Sequence, residues 1–140
     1  MAVADDLDRV AELCRLGARQ CLDEMLALGP RPAAAAGALL WDQQELSLQS
    51  KVDRLTALVS KLSAEAVVEN LSDYAAQLKS VGDCAEAAED KIREIQKVSD
   101  LLTRLSKVLD LGLAILAAAA APTPATIAAV VAAAEGLGNN

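Results

Sequence analysis

Residues 109–140 read LDLGLAILAAAAAPTPATIAAVVAAAEGLGNN, and residues 111–134 of that stretch carry no charged side chain. An uncharged run longer than about 18 residues is what a membrane-spanning helix needs. The proline pair at Pro122 and Pro124 divides this one into two pieces of about a dozen residues or fewer, each too short to cross about 30 Å of hydrocarbon as a helix. Much of the run is also alanine, whose methyl group adds little to insertion. The pattern therefore predicts a helical hairpin. One helix ends at Pro122, and a short last helix occupies residues 124–135, with Thr123 or Thr126 as its cap and Pro124 at its first position, where the missing N–H costs nothing. Gly136 and Gly138 stop it.

Upstream, the apolar spacing is helical throughout. A seam through Val67, Leu71, Tyr74, Leu78, Val81, Ala85, Ala88, Ile92, Ile95, Val98, Leu102, Leu105 and Leu109 alternates steps of three and four. Leu109, Leu113 and Leu116 extend it into the uncharged run, with Leu111 and Ile115 widening the apolar surface and Ile127, Val130 and Val131 folding back to cover it. Gly82 interrupts helix propensity, and Asp83 followed by Glu86 has the spacing of a capping box. A turn or kink is expected there, followed by a helix over residues 83–121.

Nearer the start, Val3, Leu7, Val10, Cys14, Ala18, Cys21, Met25 and Leu28 make one helical stripe over residues 3–28. Asp5, Asp6 and Asp8 sit where negative charge suits a helix N-terminus. Gly29, Pro30 and Pro32 then place a linker at residues 29–37. A second helix beginning near Ala38 carries Trp41, Glu45, Leu48, Val52, Leu55, Val59, Leu62 and Ala66, which puts Trp41 in the core. Its register fails at residues 63–67, which marks either a skip in one long helix or the corner of a hairpin. An unbroken helix from residue 38 to residue 120 would span about 120 Å, so some break is required unless the protein is a rod.

The expected fold is all-α: an antiparallel bundle of about four principal, heptad-like helices plus a short C-terminal helix after the Pro-Thr-Pro break, a single domain over residues 1–140. No strand and no internal repeat stand out. Aromatic residues are Trp41 and Tyr74 alone, so the core-filling aromatics of a β domain are missing.

Composition excludes several functions. A net charge of −7 disfavours a nucleic-acid backbone, which is bound through Lys and Arg. The three cysteines lack paired spacing, and the chain has no His to complete a zinc site. Cys14 and Cys21 lie seven residues apart on one helical face, about 10 Å by helix rise and beyond disulfide reach. Cys84, near an expected helix start but beside Asp83 and Glu86, reads as a structural thiol. Without His, acid–base catalysis would need a perturbed carboxylate, Lys or Cys, and no motif singles one out. The stripe Glu86, Asp90, Glu94 reads as a solvated helix face. No cofactor, metal or small-molecule substrate is indicated.

The opening MAVADDLDRV has the order of neither a secretory signal nor a transit peptide, so a reducing cytoplasm is expected, with signal-less export as the other route. The function expected is non-enzymatic: a helical interaction or assembly module, self-pairing or bound to another protein. Its central apolar stripe is Val98, Leu102, Leu105 and Leu109, as core or interface. The second expectation is a membrane-active, pore-forming or toxin-like protein that inserts the 111–134 hairpin, with Leu113, Leu116, Pro122, Pro124, Ile127 and Val131 as the inserting or partner-binding residues. Basic residues ahead of the hairpin, Lys91 to Lys107, suit such a segment but equally suit a salt-bridged bundle surface.

Overall fold

The computed structural model describes residues 2–138 and is all-helical among them. The helices are α1 (Ala2–Ala27), α2 (Ala35–Leu62), α3 (Glu65–Asn70), α4 (Ala75–Glu94), α5 (Val98–Ala120) and α6 (Pro124–Gly136), with a 3-10 turn (Ser72–Tyr74) between α3 and α4.

Helix α1 forms as its stripe predicts. Val3, Leu7, Val10, Cys14 and Cys21 are all buried along it. It ends at Gly29, which takes the left-handed conformation (φ 66°) that a side chain would resist. Helix α2 starts at Ala35, a turn's worth earlier than expected, because the alanines after Pro32 already accept helical geometry and Arg31 clamps Asp42 through two 2.9 Å hydrogen bonds. Trp41 is not in the core. It lies half-exposed beside the linker, donating from Nε1 to the Gly29 carbonyl at 3.3 Å. The register failure at residues 63–67 is a corner: α2 stops at Ser63, and α3 with its 3-10 turn carries the chain across the end of the molecule. Asn70 ties this crossing to the end of α5 by donating to the Ala119 carbonyl at 2.9 Å.

The expected kink at Gly82 is absent, and Asp83 caps nothing: α4 runs unbroken through both. Gly82 is buried because α1 passes directly over it, and a Cβ there would stand 2.6 Å from Asp6 Oδ1. The residue that weakens the helix locally is the one that lets two helices touch. Arg9 then bridges the contact, lying 3.8 Å from Asp6, 3.1 Å from Asp83 and 3.7 Å from Glu86. The real break between α4 and α5 falls at residues 95–97, where Ile95 turns extended (φ −69°, ψ 130°). Neither glycine nor proline marks it, and no side chain caps α5. What sustains it is packing: the corner lets Leu101, Leu105, Val108, Leu111 and Ile115 all reach the core, each contributing about 2 kcal/mol on full burial.

Helices α4 and α5 follow each other in sequence, yet α6 packs against both. Its N-terminus carries a reciprocal cap in which Thr123 Oγ1 accepts from Thr126 N at 3.1 Å and Thr126 Oγ1 accepts from Thr123 N at 2.9 Å. At its other end, Lys91 on α4 donates to the Gly138 carbonyl at 2.6 Å, and Arg104 on α5 donates to that of Leu137. Cations from two helices thus satisfy the negative end of α6. Ile127, Val130, Ala134 and Leu137 are its buried side.

Candidate functional site

Among the described residues, large apolar side chains are left exposed on two surfaces, both involving α2. At the α1–α2 end, Leu22, Leu26, Leu39 and Leu40 are exposed, Leu26 by 81%, and farther along α2 Leu46 is exposed by 72% beside Leu102 of α5. Leu22, Met25, Leu26, Trp41 and Glu45 line one hollow there. The spacing of α1 explains its share: Leu22 and Leu26 fall outside the stripe that Cys21 and Met25 continue. Leu39 and Leu46 lie seven apart on α2, on the face opposite Leu48 and Leu55, which are fully buried.

The second surface is an open groove of about 400 Å³ between α2 and α5. The two helices run in the same direction here: Lys51 Nζ donates to Ser106 Oγ at 2.9 Å, and a turn or two on Leu58 presses against Gly112, where a Cβ would come within 2.5 Å of its Cδ1. Leu58 and Leu109 form the floor, and Leu113 stands 59% exposed at the rim.

The sequence-expected residues divide between core and surface. Leu105 is fully buried and Leu109 nearly so, whereas Val98 and Leu102 are half-buried, Leu102 beside Leu46. In the hairpin, Leu113 leaves the core seam that was expected to hold it. Seam positions drift around a straight helix, and Leu111 and Ile115 take the inward places instead. Leu116 and Val131 are half-buried, Ile127 is buried, and Pro122 and Pro124 are exposed at the turn. No helix among the described residues is long and apolar enough to cross a membrane. The exposed leucines of α1 and α2 escaped sequence reasoning, because a leucine off the seam carries no signal separating an interface from an ordinary surface.

No family model, curated protein or solved structure matches the chain.

Burial pushes the Cys14 thiol up to about 12 and that of Cys21 to about 11, so neither is a thiolate near neutral pH. Cys84 lies mid-helix in α4 rather than near a helix start, and burial, with Glu135 and Asp83 nearby, raises it too. Glu86 and Asp90 are engaged by Arg9 and Arg93 on an exposed face, and no cluster of three potential ligands could hold a metal ion among the described residues. Among the described residues Asp6 is the one buried charged residue; burial raises its carboxyl, which Arg9 partly offsets.

Proposed function

We propose that this chain is a non-enzymatic helical assembly module that pairs with a second copy of itself through the leucine-rich end of the α1–α2 hairpin. Its scaffold is taken as a bundle of the four long helices α1, α2, α4 and α5 that alternate in direction along the chain, with α2 and α5 side by side in the same direction and α6 as the short fifth. One observation carries the proposal: Leu22 and Leu26 stand exposed around one hollow with Met25 and Trp41, and Leu39 and Leu40, just before Trp41 in the chain, are exposed too. Each forgoes about 2 kcal/mol relative to burial, and clustered apolar surface of this kind marks an interaction site. A twofold pairing lets one patch serve both partners. The alternative, insertion of residues 111–134 into a bilayer, would require Leu111, Ile115, Ile127 and Val130 to leave the core that they fill.

Sedimentation equilibrium on the full chain should return twice the 14.5 kDa monomer mass. The double substitution Leu22→Asp, Leu26→Asp should return the monomer with its helical circular dichroism intact, since both side chains are exposed. A monomer even at millimolar concentration overturns self-pairing. Dye release from liposomes that depends on residues 111–140 would favour the membrane alternative. Leu105→Asp is no test of assembly, because a charge at a site with no exposure unfolds the chain.

A further inference from the structure

The groove between α2 and α5 differs from the leucine-rich end in its charge. The chain is acidic, and most of its acids fall on α1, α3 and α4. All three cations of α2, Lys51, Arg54 and Lys61, line the groove, with Asp110 the one acid in its wall. Lys51 is spent on Ser106. Arg54 and Lys61 join none of the ion pairs that engage Arg9, Arg15, Arg31, Lys79 and Arg93. Between the cations lies the apolar floor of Leu58 and Leu109, with Leu113 at the rim.

We propose that this groove docks the apolar face of an acidic amphipathic helix from a partner protein. Lys51, Arg54, Leu58 and Lys61 follow one another at i, i+3, i+7 and i+10 along α2, and Leu109 and Leu113 at i and i+4 along α5. The cationic stripe is about 15 Å long by helix rise, the length of about three turns of a docked helix. Apolar partner residues at i, i+3 or i+4, and i+7 meet the leucine floor, and flanking Asp or Glu side chains meet Arg54 and Lys61. The same charges steer an acidic helix to this face of an otherwise repelling chain. A second copy of this protein is a poor occupant through its acidic stripe, because Glu86, Asp90 and Glu94 lie on α4, whose apolar residues Leu78, Val81 and Ile92 are buried. An isolated acyl chain fits poorly as well, since an open groove leaves it half in water.

The experiment is a selection of helix-forming peptides from a displayed library on the full chain, counter-selected against the Arg54→Glu, Lys61→Glu variant. Enriched peptides should carry leucine or isoleucine at helical spacing with flanking acids. A synthetic copy should bind the unaltered chain, weaken with added salt, and bind at least tenfold more weakly to Arg54→Glu, Lys61→Glu and to Leu113→Asp. All three positions are exposed, so circular dichroism should show these variants folded. Leu22→Asp, Leu26→Asp should keep full peptide binding, which separates this groove from the self-pairing surface. No enrichment, enrichment of basic or uncharged peptides, or binding indifferent to Arg54→Glu, Lys61→Glu overturns the proposal. Groove-dependent binding to phosphatidylglycerol vesicles in place of peptide, or a dimer that the groove substitutions dissociate, overturns it in favour of a lipid surface or a second copy.

Discussion

Gly82→Ala inserts a methyl group at the closest approach of α1 and α4. The added carbon would stand 2.6 Å from Asp6 Oδ1, 3.1 Å from its Cγ and 3.2 Å from its Cβ. Two effects compete. Alanine is better than glycine in a helix interior by about 1 kcal/mol. Overpacking opposes it, at about 1–3 kcal/mol for a well-packed site. The upper half of that range applies here. Asp6 is only 5% exposed and Arg9 leans on its carboxylate, so rotating the oxygen away does not relieve the contacts to Cγ and Cβ. The helices must separate, loosening the buried side chains that flank the contact, Leu7 and Val10 on α1 and Leu78 and Val81 on α4. The net expectation is a loss of about 1–2 kcal/mol, a fall in Tm of roughly 3–8 °C for a chain of this size. Urea unfolding followed by circular dichroism measures it. Repeating the substitution in an Asp6→Ala background isolates the contact. With Oδ1 and Cγ removed, Gly82→Ala should be neutral or stabilising, a coupling of about 1 kcal/mol or more between the two sites. A stabilising Gly82→Ala in the unaltered chain, or the same effect in both backgrounds, would refute the close-approach account.

Asp6 also sets a pH dependence. Its carboxyl lies above the ordinary 3.8 mainly because burial disfavours the charge, more than Arg9 restores it. The folded state therefore holds this proton more tightly than the unfolded chain, and Asp6 favours folding increasingly as pH falls from its raised value towards 3.8. Asp6→Asn should be more stable than the unaltered chain at neutral pH, with the gap closing on acidification. A gap that widens as pH falls contradicts this. For the thiols, Cys14 and Cys21 are buried and held protonated, whereas Cys84 is half-buried. Ellman's reagent at mildly alkaline pH should titrate Cys84 first in the native chain and all three thiols only after unfolding. Prompt reaction of all three in the native chain would show that the α1 core opens readily.

Local patterns carried much of the fold. The α1 stripe, the α4 seam from Leu78 to Ile92, the glycine stop at Gly29 and the Pro-Thr-Pro turn with its threonine cap were each legible, because each rests on neighbours within a turn or two. Gly82 misled for an instructive reason. Its helix-weakening effect is local and visible, while the passage of Asp6 over it joins residues 76 positions apart in the chain. The corner at residues 95–97 had no mark at all, since the seam through Ile92, Ile95 and Val98 is regular and nothing there breaks a helix. Of the surfaces, Leu109 and Leu113 stood out as apolar, but their place beside Arg54 and Lys61 depends on which helix lies next to α5.

The amino-acid sequence alone determined that this chain is helical and that Pro-Thr-Pro divides residues 111–134 between the end of one helix and a short last helix rather than leaving one membrane span. Those conclusions follow from periodicity and proline geometry, which act locally. The tertiary structure decided which apolar residues are covered. It buried Leu111 and Ile115 while leaving Leu113 in water, put α6 against both α4 and α5, and brought the cations of α2 alongside an apolar strip of α5. Burial is a property of helix neighbours, and those neighbours are set by the competition of all the faces for one core.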